Sequence, residues 1–225
     1  MLIPDPTTAR ERRLARLGTS WPLLRRVLYR GEEGWRRATD NHGVSAHSQF
    51  AYRERLAALR EEQKLHHGWE KARLLQIELT VNPEHTVAVQ TLTGDRHTGL
   101  VNPGQPPRNR FARGPNGQRL LGGDGHAEQL SLFPDGVLPL SASGEVDLEG
   151  YEDLEVWVLL VHRVSDPATG RVLWHSELSR PHPPNKAGYL TRWRERIPLP
   201  ALEIGAVAHP TGEGQHELDI QIGLR

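Results

Sequence analysis

From residue 75 onward apolar and polar side chains alternate: Leu75, Ile77, Leu79 and Val81 against Gln76, Glu78, Thr80 and Asn82. That period predicts a strand with one wet face. Asn82-Pro83-Glu84 has turn chemistry, and His85 to Thr91 resumes an extended pattern with Val87 and Val89 on one side. Residues 74–92 therefore predict a hairpin. Leu154 to Val164 (LEVWVLLVHRV) is nearly continuous apolar sequence, as a central strand covered on both faces would be. Asp166 to Gly170 turns the chain. Arg171 to Ser179 then returns with Val172, Trp174 and Leu178 on one side and His175 and Glu177 on the other. His216 to Leu224 alternates again and predicts a last strand, whereas Tyr189 to Arg196 (YLTRWRER) predicts a helical turn closed by Ile197-Pro198-Leu199-Pro200.

Upstream, the spacing lengthens to that of helices. Thr7 or Thr8 can cap a helix over Ala9 to Leu17, with Gly18 behind it. Thr19 or Ser20 precedes a second helix, with Pro22 in its first turn, and Gly31 is expected to end it; a short piece around Trp35 to Ala38 follows. Ser45 or Ser48 opens a longer helix reaching about His66, with Tyr52, Leu56, Leu59 and Gln63 at three-to-four spacing. No repeat recurs at a fixed period.

Together these elements predict an α+β fold: a short N-terminal helical segment packed on a mainly antiparallel β-sheet, with a long Gly/Pro/Arg-rich loop. Residues 1–73 are expected to form a basic helical head and 74–225 a β-rich body, with the long loop at 93–126, in one compact domain.

Composition narrows the chemistry. The 225-residue chain has no cysteine, which excludes disulfides, thiol nucleophiles and Cys-ligated metals. No signal-like N-terminus and no apolar run of membrane-spanning length is visible, so a cytoplasmic protein without membrane contact is expected. Formal net charge is zero but unevenly spread: residues 1–75 hold 15 Lys and Arg against 9 Asp and Glu, and the remainder 13 against 19. A basic end can face a polyanion or an acidic partner, or can be the solvated face of ordinary helices. Arg far outnumbers Lys, as in proteins from GC-rich bacterial genomes.

Thr93 to His126 (TGDRHTGLVNPGQPPRNRFARGPNGQRLLGGDGH) lacks apolar periodicity and exceeds the usual length of a connection. It carries Arg96, Arg108, Arg110, Arg113 and Arg119 against Asp95 and Asp124. Arginine forks suit phosphate, glycines admit close backbone approach, and Phe111 offers a stacking face. With Arg26 and Arg30 from the helical head, these are the candidate nucleic-acid contacts. A solvated insertion and a protein-docking loop are the alternatives. The Gly spacing fits neither a P-loop nor a dinucleotide fingerprint.

Catalytic signatures are sparse. His126-Ala127-Glu128 matches the first element of the zinc deaminases, but without cysteine that zinc shell cannot close. A different site from His126, Glu128 and a later His (His162, His175 or His182) would suit a transition metal. Asp135, Asp153 and Glu155 lack the lysine of a metal-dependent nuclease, and Ser131, Ser141 and Ser143 lack a nucleophile-elbow setting. The leading expectation is a non-enzymatic nucleic-acid-binding or accessory subunit of a larger bacterial assembly, needing no cofactor. A metal-assisted hydrolase using His126 and Glu128, or a pure protein-interaction subunit, is the alternative.

Overall fold

The computed structural model describes residues 6–122 and 151–205, apart from 152 and 167. Three helices come first, α1 (Pro6–Arg16), α2 (Trp21–Arg37) and α3 (Ala46–His67). Strands β1 (Glu70–Leu74), β2 (Ile77–Val81) and β3 (Val87–Thr93) follow, then a short α4 (Pro115–Leu120). The chain returns as β4 (Glu155–Ser165), β5 (Val172–Pro181), β6 (Trp193–Pro198) and β7 (Leu202–Ile204). The sheet runs β1-β2-β3-β4-β5-β6, with β7 beside the start of β5. Every pairing is antiparallel except β3 with β4, which run parallel from Val87↔Glu155 to Thr93↔Val161. The fold is α+β with a mostly antiparallel sheet.

One face of the sheet carries the helices. Val89, Trp157, Leu159, Trp174, Leu178 and Ile197 pack there with Leu14, Leu24, Val27, Leu28 and Leu59 in a single buried cluster. β4 is also covered on its second face, where Val158 and Leu160 meet Leu190, Leu92 and Trp193. That double burial is why its sequence is apolar without alternation.

Several local features follow from sequence chemistry. Ser20 caps α2, and Gly68 ends α3 in the left-handed conformation with its N–H on Lys64 O at 3.1 Å. Asn82 builds the β2–β3 turn, its Oδ1 accepting from the N–H groups of Thr86 and Val87, both at 2.8 Å.

Four expectations need correction or completion. Gly31 does not end α2, which continues to Arg37. Gly31 and Gly34 instead let α3 approach: a Cβ at Gly31 would lie 2.5 Å from Arg55 Cγ, and one at Gly34 only 2.7 Å from the Phe50 carbonyl oxygen. Tyr189 to Arg196 is not a helical turn but leads into β6. There Glu195 bonds Arg13 of α1 while Arg196 reaches Glu177 on the opposite face, a period-two division of labour. β1 was not foreseen, because its sequence EKARL is polar, as an edge strand tolerates. Leu75 belongs to the two-residue turn Leu75-Gln76, both at positive φ, and not to the strand. The strand expected at 216–224 lies outside the described residues.

Gly34→Ala tests the close helix crossing. Overpacking against backbone is expected to cost about 1–3 kcal/mol despite the better helix propensity of alanine. Gly43→Ala, where a Cβ meets nothing within 4 Å, is the matched control. Equal urea midpoints for the two variants would refute the crossing as described.

Candidate anion-binding face

The arginine-rich segment is built into the second face of the sheet from residue 94 to 113. Gly94 bridges to Asn109, and Arg110 N donates to Thr93 O at 2.8 Å. Buried Asn109 donates to Phe111 O (2.6 Å) and Gly188 O (3.3 Å) and accepts from Leu190 N (2.7 Å). Trp193 Nε1 donates to Pro107 O at 2.8 Å. Further along, the Glu177 carboxylate, fully buried in β5, accepts from Gly99 N at 2.9 Å and Ser179 Oγ at 2.8 Å. Arg196 closes on both its oxygens at 3.0 and 2.5 Å, and also donates to Leu100 O. Asn109, Trp193, Glu177 and Arg196 thereby satisfy backbone groups of the segment that a free loop would leave to water.

This scaffold distributes the candidate residues over different places. Arg96 and Arg108 line an open hollow with His97, Gln105, Pro106 and Thr191, in which Asp95 is the sole carboxylate among the described residues. Arg108 stands 3.9 Å from Asp95 and 5.1 Å over the Tyr189 ring. The hollow adjoins a second through Gln105, Pro106 and Thr191, where Arg192, His182 and Trp193 follow and no carboxylate of the described residues intrudes. Val101, 75 % exposed, lies on its rim. Arg119 stands exposed on α4.

Arg113 turns inward. Its Nη2 donates to Gln90 Oε1 at 3.2 Å, its guanidinium lies against Gly117, and burial pushes its pKa down. Arg26 and Arg30 belong to a seam between α2 and α3. Arg26 forks onto Glu62 at 2.8 and 2.6 Å, and Arg30 meets Glu54 and Glu61 at 3.2 Å each. The glutamate hydrogen bonds raise both pKa values, and both guanidinium groups are paired with α3 carboxylates while still partly exposed.

Arg110 and Phe111 lie elsewhere again, at the mouth of a cavity of about 390 Å³ between α3 and the C-terminal ends of β3 and β4. Arg55, Arg163, His47, Trp35 and Trp174 form the rest of its principal wall, and among the described residues no carboxylate lines it. Arg163 is held by Glu32 at 2.8 and 3.1 Å and stacks 4.5 Å from the Trp35 ring centre. Glu32 also accepts from Arg36 at 2.8 Å and Trp174 Nε1 at 3.0 Å. Burial pushes the Glu32 pKa up, but the bonds from Arg163 and Arg36 outweigh it and the net shift is downward. His162, at the same end of β4, is pushed down by burial and by neighbouring His175 and Arg110.

Arg55, Arg163 and Glu32 went unremarked in the sequence. The available signal was Arg55 itself, standing between Ala51 and Leu59 at helical spacing on the buried face of α3. Among the described residues no group of three or more His, Cys, Asp or Glu is placed to hold a metal, and no helix is long and apolar enough to cross a membrane. His126 and Glu128 lie outside the described residues, as do Ser131, Asp135, Ser141 and Ser143. No family model, curated protein or solved structure matches the chain.

Proposed function

We propose that the chain is a non-enzymatic nucleic-acid-binding protein that tracks a phosphate backbone along the two adjoining hollows. The observation that carries this reading is their charge: Arg96, Arg108 and Arg192 stand exposed around a continuous depression whose lining includes one carboxylate, Asp95. Anchored backbone beneath them lowers the ordering cost of contact. Arg119, exposed on α4 beyond the same segment, offers a further phosphate contact. Arg26, Arg30 and Arg113 are assigned structural roles instead.

Fluorescence anisotropy with single-stranded DNA, duplex DNA and RNA at low and moderate salt tests it. Binding is expected to weaken steeply as salt rises. A variant with Arg96, Arg108 and Arg192 changed to Ala is expected to lower the single-strand salt slope by about 2, at roughly 0.7 per phosphate contact. Absent binding, or a variant with an unchanged slope, would overturn the reading.

A further inference from the structure

The cavity under Phe111 poses a separate problem, since it shares no lining residue with the two hollows. Arg55 is 3 % exposed and lines this cavity, yet it makes no hydrogen bond or ion pair among the described residues. Its Nε is fully enclosed without a partner, and its guanidinium carbon lies 5.5 Å from the Trp174 ring centre. A ring face compensates a desolvated cation only in part. Guanidinium offers five donors, and a buried one normally has a carboxylate against it. Glu32, which holds Arg163 and Trp174 of the cavity wall, is already committed to them and to Arg36. Burial brings the Arg55 pKa down to about 10, so the charge persists at neutral pH.

The surroundings repeat the same polarity. Arg110 lines the cavity without an ion pair among the described residues, Arg163 lines it with its charge paired to Glu32, and the first turn of α3, through His47 and Ser48, contributes the positive end of a 22-residue helix. His47 Nδ1 donates to Trp35 O at 2.8 Å, which orients Nε2 away from that bond. We infer that this cavity is a binding site for a compact phosphate-type oxyanion, which enters beside Arg110 and Phe111 and is met by Arg55 at the inner wall. Such an oxyanion supplies the acceptors and the counter-charge that Arg55 lacks. Phe111, 66 % exposed at the mouth, is placed to stack on a planar group attached to it. The phosphate can be that of a free small molecule or the terminal phosphate of a nucleic-acid strand.

Calorimetric titration of the full chain distinguishes the sources. The probes are inorganic phosphate, adenosine monophosphate, adenosine, and a trinucleotide with and without its 5′-phosphate. Phosphate-bearing probes are expected to bind at least about tenfold tighter than their phosphate-free counterparts, as charged hydrogen bonds imply. Preference for adenosine monophosphate over the phosphorylated trinucleotide identifies a free molecule, and the reverse a strand end. Arg55→Met is expected to remain folded, with an unchanged or higher melting temperature, and to lose that binding by at least about tenfold. The exposed variant Arg110→Ala, which leaves the core intact, should weaken it several-fold. The variant lacking Arg96, Arg108 and Arg192 should bind the mononucleotide normally, so the two sites fail separately. No phosphate-dependent binding by any probe, or undiminished binding by both Arg55→Met and Arg110→Ala, would overturn the inference.

Discussion

Glu177→Ala is expected to destabilise the protein by about 3–5 kcal/mol, the usual cost of removing one partner from a buried ion pair. Glu177 has no exposed surface, and its two oxygens take donors from Arg196, Gly99 and Ser179. Without the carboxylate, Arg196 keeps its charge in a site only one-fifth exposed, and the Gly99 amide loses its acceptor. Gly99 sits at φ +74°, so close to the Ser176 backbone that any side chain there would collide with it. Stability should therefore fall together with local order. Urea denaturation reads the first and limited proteolysis between residues 96 and 105 the second. A variant with the wild-type midpoint and the wild-type cleavage rate would show that this carboxylate does not hold the segment down.

Glu32→Gln should cost a similar amount at neutral pH, roughly 3 kcal/mol, and the cost should depend on acidity. The carboxylate joins Arg163 of β4 and Arg36 of α2 to the indole of Trp174 in β5. Its folded pKa lies below the ordinary 4.5. A depressed carboxylate contributes stability that is full above its unfolded pKa and is lost as pH falls through the folded one. The gap between wild type and variant should therefore be widest near neutrality and close below pH 4.5, where the wild-type carboxyl takes up its proton. Urea midpoints at several pH values would show it. A gap that stays constant down the acid limb would mean that Glu32 contributes by shape and not by charge.

The elements that could be read from sequence are those whose burial is simple. LEVWVLLVHRV is apolar throughout because β4 has packing on both faces, and the alternation before Asn82 marks β2, although the side expected to be wet is covered too, with Thr80 fully buried and Glu78 under Arg60 of α3. Misreadings came where tertiary contact reverses a local signal. Gly31 looks like a stop, yet its missing Cβ is what α2 needs to lie over Arg55. The charges of YLTRWRER suggest a surface turn, yet Glu195 and Arg196 find partners on opposite faces of the sheet. The parallel pairing of β3 and β4 has no signature in either strand, since nothing in an apolar run names its neighbour. At the candidate site the arginines and Phe111 were visible as a cluster in sequence, but the fold sends them to different places. Availability depends on partners far along the chain, as Arg26 shows with Glu62 and Arg113 with Gln90.

The single parallel seam also bears on how the chain reaches this state. β1, β2 and β3 meet their neighbours across tight turns, as β4 and β5 do, so each arm closes only short lengths of chain. β3 and β4 join only when residues 94–154 have been gathered between them. The entropy of that closure is spent before any seam contact forms, and a rise in mean contact separation slows folding. The arms are thus expected to form fast and the seam slowly. The arginine-lined cavity sits at the C-terminal ends of the two strands that meet there, so it takes shape only once that long-range seam has closed.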